Sequence, residues 1–231
     1  MTGQGAWPSP RVLCPMFQVD ATMPDGLAEI GRSPGSATVR AAYDAWLVFE
    51  DEVGFSMTPP TSRTWSRRGC TPLIRVRGRS RRRLSVAALT CYKPGERPRL
   101  IYRPARDRRC DGRKSFDWRD YRDLLITAHT QLGGPIVVIW DNLNTHLAKG
   151  MREFIEAHDW LTVYQLLPYC PDLNPVEGIW SLLRRKLANT AFADPDHLVN
   201  AVRRGLREVQ YRPHLIEGVL AETGLTLHTE T

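Results

Sequence analysis

The stretch LTVYQLLPYCPDLNPVEGIWSLLRRKL, residues 161–187, leaves this chain few ways to fold. Thr162, Val163 and Tyr164 are β-branched and aromatic side chains that pack well on a pleated strand. Pro168, Pro171 and Pro175 each lack a backbone donor and fix φ, so no regular element fits between Leu167 and Asn174. Asn174 suits a helix N-cap and Pro175 the first helical position. Ile179, Leu182, Leu183 and Leu187 then supply one apolar face at helical spacing. The spacing predicts a strand, a tight turn and a helix that carries Glu177 in its first turn. Two readings of Glu177 follow. Asn174-x-x-Glu177 is a capping-box pattern, in which the glutamate only reaches back to the N-cap amide. Alternatively, the turn holds the carboxylate against a strand end, where a site can use it.

The upstream chain bears on that choice. Trp46 begins an apolar run, WLVFEDE, read as a strand ending in Glu50, Asp51 and Glu52 and broken by Gly54, Pro59 and Pro60. Arg63–Arg68 fits a short second strand, and residues 69–83, with RGRSRRR, a basic hairpin or loop. Leu84–Tyr92 reads as a strand, Lys93-Pro94-Gly95-Glu96 as a turn, and Arg99–Arg103 as its hairpin partner, closed by Pro104. Residues 116–132 carry a helical pattern with Ser115 as cap and Phe116, Tyr121, Leu124, Leu125 and Ala128 inward, ended by Gly133-Gly134-Pro135. Ile136–Trp140 is apolar throughout, the mark of a strand buried on both faces, and Asp141 follows at once. A helix over 147–158, the 161 strand, the Glu177 helix, a helix from Pro195 to Tyr211 capped by Asp194 or Asp196, and a helical or frayed tail over 212–231 complete the order. An antiparallel meander followed by β-α-β crossovers implies an α/β fold: a mixed sheet with helices on its faces.

Residues 61–122 hold 20 Lys/Arg against 5 Asp/Glu, a net of +15, whereas the whole chain carries only +7. A field this concentrated points to a polyanion, most simply nucleic acid. Arg79, Arg81, Arg82 and Arg83 are its densest part. No apolar run approaches the ~20 residues of a membrane span, and no basic-then-apolar leader opens the chain, so the expected compartment is the cytoplasm. The five cysteines are scattered with no C-x-x-C pair, matching neither a disulfide framework nor a zinc site. Cys170 reads as a small thiol packed in a turn rather than a nucleophile.

Three acids therefore flank apolar strands: Asp51, Asp141 and Glu177, where open α/β sheets place their sites. Neighbouring carboxylates raise one another's pKa unless a cation neutralises them. Hard oxygen donors suit Mg²⁺ or Mn²⁺, and a pair of such ions serves in-line phosphodiester displacement.

Asp51 lies in F-E-D-E-x-G-F, Asp141 in W-D-N-L-N-T-H and Glu177 in Y-C-P-D-L-N-P-V-E-G-I-W. Together these words resemble the catalytic domain of Asp-Asp-Glu (DDE) transposases of the mariner-like superfamily, bacterial insertion-sequence members above all. The resemblance covers about residues 43–210, and thirty-five residues separate Asp141 from Glu177, as in that family's short second interval. It implies a ribonuclease-H-like fold with Asp51, Asp141 and Glu177 as the catalytic, metal-binding triad, two Mg²⁺ or Mn²⁺ ions with DNA bound, and metal-dependent cleavage and joining of DNA strands. Asp51 is preferred to Glu50 and Glu52 because the family word is D-E-x-G-F. Asn142 and His146 match D-N-x-x-x-H and take supporting roles, in site geometry or DNA contact, with a purely structural His146 left open. Trp180 reads as a packing anchor, and Arg184, Arg185 and Lys186 as either a solvated helix face or a DNA contact.

The implied partners are transposon-end and target DNA and a second copy of the chain, in a bacterial cell, at the nucleoid when DNA-bound. Relatives carry a helix-turn-helix module ahead of the catalytic domain. Residues 1–42 show no such pattern, only a short helical stretch near Leu27–Ile30. The expected division is thus an irregular 1–42, a catalytic domain over 43–212 and a tail over 213–231, from a truncated element. Two other readings stand beside this one: a non-catalytic DNA binder using the arginine-rich segment, and a junction-resolving or RNA-cutting nuclease of the same fold.

Overall fold

An eleven-residue strand, β1 (Trp46–Ser56), forms the spine of the molecule. The computed structural model describes residues 44–70, 72–73, 83–106, 116–141, 143–166 and 171–225. Side chains along β1 alternate between two cores, as a strand's period of two requires. Leu47, Phe49, Val53 and Phe55 join one apolar cluster, Trp46 and Val48 the other. A strand buried on both faces belongs in the middle of its sheet, and the order is β3-β2-β1-β4-β5. Here β2 is Arg83–Tyr92, β3 Arg99–Arg106, β4 Ile136–Trp140 and β5 Leu161–Gln165. β1, β2 and β3 pair antiparallel, whereas β4 pairs parallel to both β1 and β5. The mixed sheet with a meander and two crossovers is the one expected.

Helices cover both faces. α1 (Trp118–Leu132) and α2 (Lys149–Glu156) bury Tyr121, Leu124, Leu125, Ala128 and Met151 against the Trp46 face. On the Phe49 face lie α3 (Pro175–Leu187), α4 (Pro195–Gln210) and α5 (Pro213–Glu222). α5 falls in the stretch read as a helical or frayed tail. Its Ile216, Val219 and Leu220 are buried, and the Tyr92 hydroxyl donates to the Ile216 carbonyl at 2.9 Å. α3 and α5 approach closely at Gly178, where a Cβ would stand 2.6 Å from Val219 Cγ1.

Several local expectations are corrected. β1 does not break at Gly54 but runs on to Ser56, because its ladder with β2 continues through Gly54 opposite Ser85. β3 likewise passes Pro104, opposite Val86, to Arg106; an edge strand tolerates a missing donor. Residues 63–68 form no strand. Their approach is fixed by Asn189, which accepts from the Ser62 amide at 3.1 Å and donates to the Ser62 carbonyl at 2.8 Å. α1 starts two residues after Phe116 with Asp117 as N-cap, whose amide donates to Asp120 Oδ2 at 3.0 Å. Ser115, Cys170, the Leu27–Ile30 stretch and the basic residues 74–82 lie outside the described residues.

Candidate active site

Asn174 builds the site's frame. Its side-chain oxygen accepts from the Val176 amide at 3.1 Å, capping α3, and its side-chain nitrogen donates to the Glu50 carbonyl at 2.9 Å. One buried amide thus ties the start of α3 to the middle of β1. Glu177 does not close the capping box on the Asn174 amide. Its carboxylate, 42% exposed, stands 3.9 Å from Arg184 Nη1.

Three residues after Glu177, Trp180 is fully buried and its indole N–H donates to Asp51 Oδ2 at 2.8 Å. Trp180 is therefore both a packing anchor and the hydrogen-bond donor that orients Asp51. The Asp51 carboxyl is pushed up to about 7, first by burial, then by the charges of Glu177 and Glu50, with the Trp180 donor opposing. Asp51 and Glu177 are electrostatic neighbours across the β1–α3 contact.

Asp141 reaches the same neighbourhood from β4. The parallel register ends at the pair Phe49 and Ile139; Asp51 stands two residues further along β1, and Asp141 just past the end of β4. Asp51 continues the Phe49 face, which carries α3, whereas the Asp141 carboxylate turns to His146, whose ring packs on Trp140 and Tyr121 on the α1 side. Adjacent strands are separated by about 4.8 Å, so the two backbones are close. The Asp141 carboxylate is half exposed and turned within its own loop. Oδ1 accepts from the Leu143 amide at 3.2 Å and lies 3.2 Å from His146 Nδ1.

His146 is buried, a position that suits a role in site geometry or a purely structural one better than contact with DNA. Its ring stacks on Trp140 at 4.2 Å, meets Tyr121 edge-on at 4.7 Å, and directs Nε2 toward Glu50 Oε2 at 3.2 Å. Burial alone would lower its pKa, but the partnership with Asp141 and Glu50 outweighs that and raises it to about 9. Burial raises Glu50 in turn.

The structure thus couples Asp51 with Glu177 and Asp141 with His146. Among the described residues no three of Asp, Glu, His and Cys stand together as a metal cluster. The donor chemistry nevertheless suits a hard divalent cation: carboxylate oxygens only, with the Asp51 carboxyl raised first by burial and then by the charges of Glu177 and Glu50, which a cation would offset. Of the other expected residues, Arg83 opens β2 and is exposed, whereas Arg79, Arg81, Arg82 and Asn142 lie outside the described residues. Arg184 faces Glu177, and Lys186 pairs with Glu208. Sequence reading passed over Glu50. The signal was there: alternation along WLVFE puts its side chain on the buried Val48 face, where a charge is out of place.

A family model described as DDE superfamily endonuclease matches residues 46–199. The chain belongs to that family. No curated protein matches the sequence. Solved structures similar to it include the Mos1 strand transfer complex, at 17% identity over 84% of this chain with a TM-score of 0.51. Another is the Mos1 transposase paired-end complex with left transposon end, at 17% identity over 82% of this chain, also at 0.51. A third is the Mos1 mariner paired end complex with Mn, at 16% identity over 79% of this chain and 0.50. This chain spans 59%, 58% and 56% of those three chains. At these identities the likeness speaks to the fold, which is ribonuclease-H-like. Among the described residues no helix is long and apolar enough to cross a membrane.

Proposed function

We infer that this DDE superfamily member is a transposase catalytic domain that cuts and joins DNA strands, with Asp51, Asp141 and Glu177 as its catalytic carboxylates. The observation that supports this reading is the crowding of Asp51. Glu177 in α3 presses its charge on Asp51 in β1, and Asp141 directly follows β4, the strand that pairs parallel with β1. The three carboxylates would hold Mg²⁺ or Mn²⁺, which when bound activates the attacking water or hydroxyl and neutralises the leaving oxygen. The Mos1 paired-end complex with Mn is consistent with that choice of cation.

The protein's own part is orientation. Trp180 aims Asp51, Asn174 ties the start of α3 to β1 and so keeps Glu177 within electrostatic reach of Asp51, and His146 holds Asp141. The basic span 61–122 would bind the DNA backbone, with Arg83 and its neighbours Arg79, Arg81 and Arg82 at its densest point. Transposon-end and target DNA are the substrates this reading implies, and a second copy of the chain a partner.

The same +15 span also favours a second reading, a DNA binder without catalysis. The two separate in one experiment: incubation with end-containing or nicked DNA and Mn²⁺. Cleavage abolished in Asp141→Ala and Glu177→Ala, with DNA binding retained, is the expected result. Binding without cleavage at any metal concentration, or cleavage unchanged in both variants, contradicts the enzyme.

A further inference from the structure

Behind Asp141 lies a buried carboxylate that the proposed chemistry does not use. Glu50 is 2% exposed and sits on the α1 face of β1, opposite in direction to Asp51. Val48, the preceding residue on that face, is fully buried among apolar groups. Placing a carboxylate in such surroundings costs several kcal/mol unless it is well paired, and an apolar side chain would simply extend the core. Neither Glu50 oxygen makes a hydrogen bond of good geometry among the described residues, nor does His146 Nε2. What links them is a close ionic approach, with Nε2 3.2 Å from Oε2.

That imidazole has little freedom to turn. Trp140 stacks on it with an interplanar angle of 7°, and Tyr121 meets it edge-on at 79°. The Tyr121 hydroxyl donates to Glu52 Oε2 at 2.7 Å, so this aromatic wall is itself anchored to β1. On its other side the ring meets Asp141 twice, with Nδ1 3.0 Å from the carbonyl oxygen and 3.2 Å from Oδ1. One locked ring therefore spans two carboxylates, Glu50 behind and Asp141 in front.

We propose that Glu50 is a positioning residue: through the His146 ring it fixes the direction of the Asp141 carboxylate, and so sets how tightly the site holds a divalent cation, while touching neither cation nor DNA. The inference rests on the reading of Asp141 as a ligand. Asp141 is half exposed and lies just past the end of β4, so without this strut only the Leu143 amide, 3.2 Å from Oδ1, restrains its carboxylate. Each turn away must be reversed before a cation is held, which weakens binding. Partners that orient metal ligands from behind typically carry 10–100-fold in metal affinity.

The test is Mn²⁺ titration calorimetry on the full chain, with unfolding in urea and chelator measured alongside. Glu50→Leu is expected to weaken Mn²⁺ binding about tenfold or more. Because it takes one partner from a buried pair it also lowers metal-free stability, so affinity is read under conditions where the urea curves show every variant folded. Glu50→Gln keeps an acceptor for His146 and is expected to retain most of the affinity. His146→Phe, which keeps the stacked ring and loses both nitrogens, should weaken binding as much as Glu50→Leu does. The double variant should be no worse than either single one, because both break the same strut. Wild-type affinity in Glu50→Leu or in His146→Phe overturns the proposal. Asp141→Ala serves as the reference. If it loses binding while those variants do not, the positioning role alone fails. If it binds like wild type as well, the reading of the site fails with it.

Discussion

Asp51 has a carboxyl raised to about 7 because it is buried beside Glu177 and Glu50. An aspartate ordinarily titrates near 3.9, so here the protonated form favours the fold. Its contribution is complete below about pH 4 and disappears as pH climbs through about 7. His146, raised to about 9 by Asp141 and Glu50, adds stability in the same sense, present below about pH 6.5 and lost through 9. Metal-free protein should therefore lose stability steadily between pH 4 and 9. Asp51→Asn should flatten the lower part of that slope and be more stable than wild type at pH 8 by roughly 2–4 kcal/mol. Urea unfolding in chelator across that range measures it; parallel curves for the two proteins would mean that Asp51 is not a crowded carboxylate. Trp180→Phe probes the opposing donor. It keeps the ring in the core, removes the N–H from Asp51, and should lower strand cleavage about tenfold with substrate binding little changed.

The elements that carry these residues are joined by single contacts. Asn174 serves α3 and β1 at once, so Asn174→Ala removes a cap and an interelement hydrogen bond. The expected cost is about 1–3 kcal/mol in chemical unfolding, together with a drop in cleavage as Glu177 loses its anchorage; a neutral outcome on both would detach the cap from the site. Gly178→Ala drives a methyl against Val219 across the α3–α5 contact and should cost about 1–3 kcal/mol. Much at this scale was legible in the sequence. Proline spacing and the Asn174-Pro175 pair marked the start of α3, and the apolar run IVVIW marked a doubly buried strand ending at Asp141. What escaped depended on neighbours. Gly54 and Pro104 look like breaks along the chain, yet the β2 ladder carries both strands past them. Asn174-x-x-Glu177 looks like a capping box, but the cap side chain is shared between Val176 and the Glu50 carbonyl, and Glu177 turns outward to Arg184. Glu50 was passed over because the family word drew attention to Asp51, although strict alternation already set the two on opposite faces.

Across the whole molecule, an acidic site is joined to a chain segment of net +15. If that segment binds DNA through phosphates, replacing Arg79, Arg81, Arg82 and Arg83 with Ala should reduce the slope of log affinity against log salt by about 3–4; an unchanged slope would remove those arginines from the DNA interface. The mixed sheet with helices on its faces was accessible from sequence because an antiparallel meander followed by β-α-β crossovers leaves few other arrangements. What was not legible is the pairing of side chains around the strand ends, Asp51 with Trp180 and Asp141 with His146; the convergence of Asp51, Asp141 and Glu177 on one cation is the proposal to be tested. The most direct measurement of that convergence is a crystal grown with Mn²⁺ and examined by anomalous diffraction. The account predicts a manganese peak within bonding distance of Asp51 and Asp141 and adjacent to Glu177. An ordered site with no manganese there, or manganese bound only elsewhere, would contradict it.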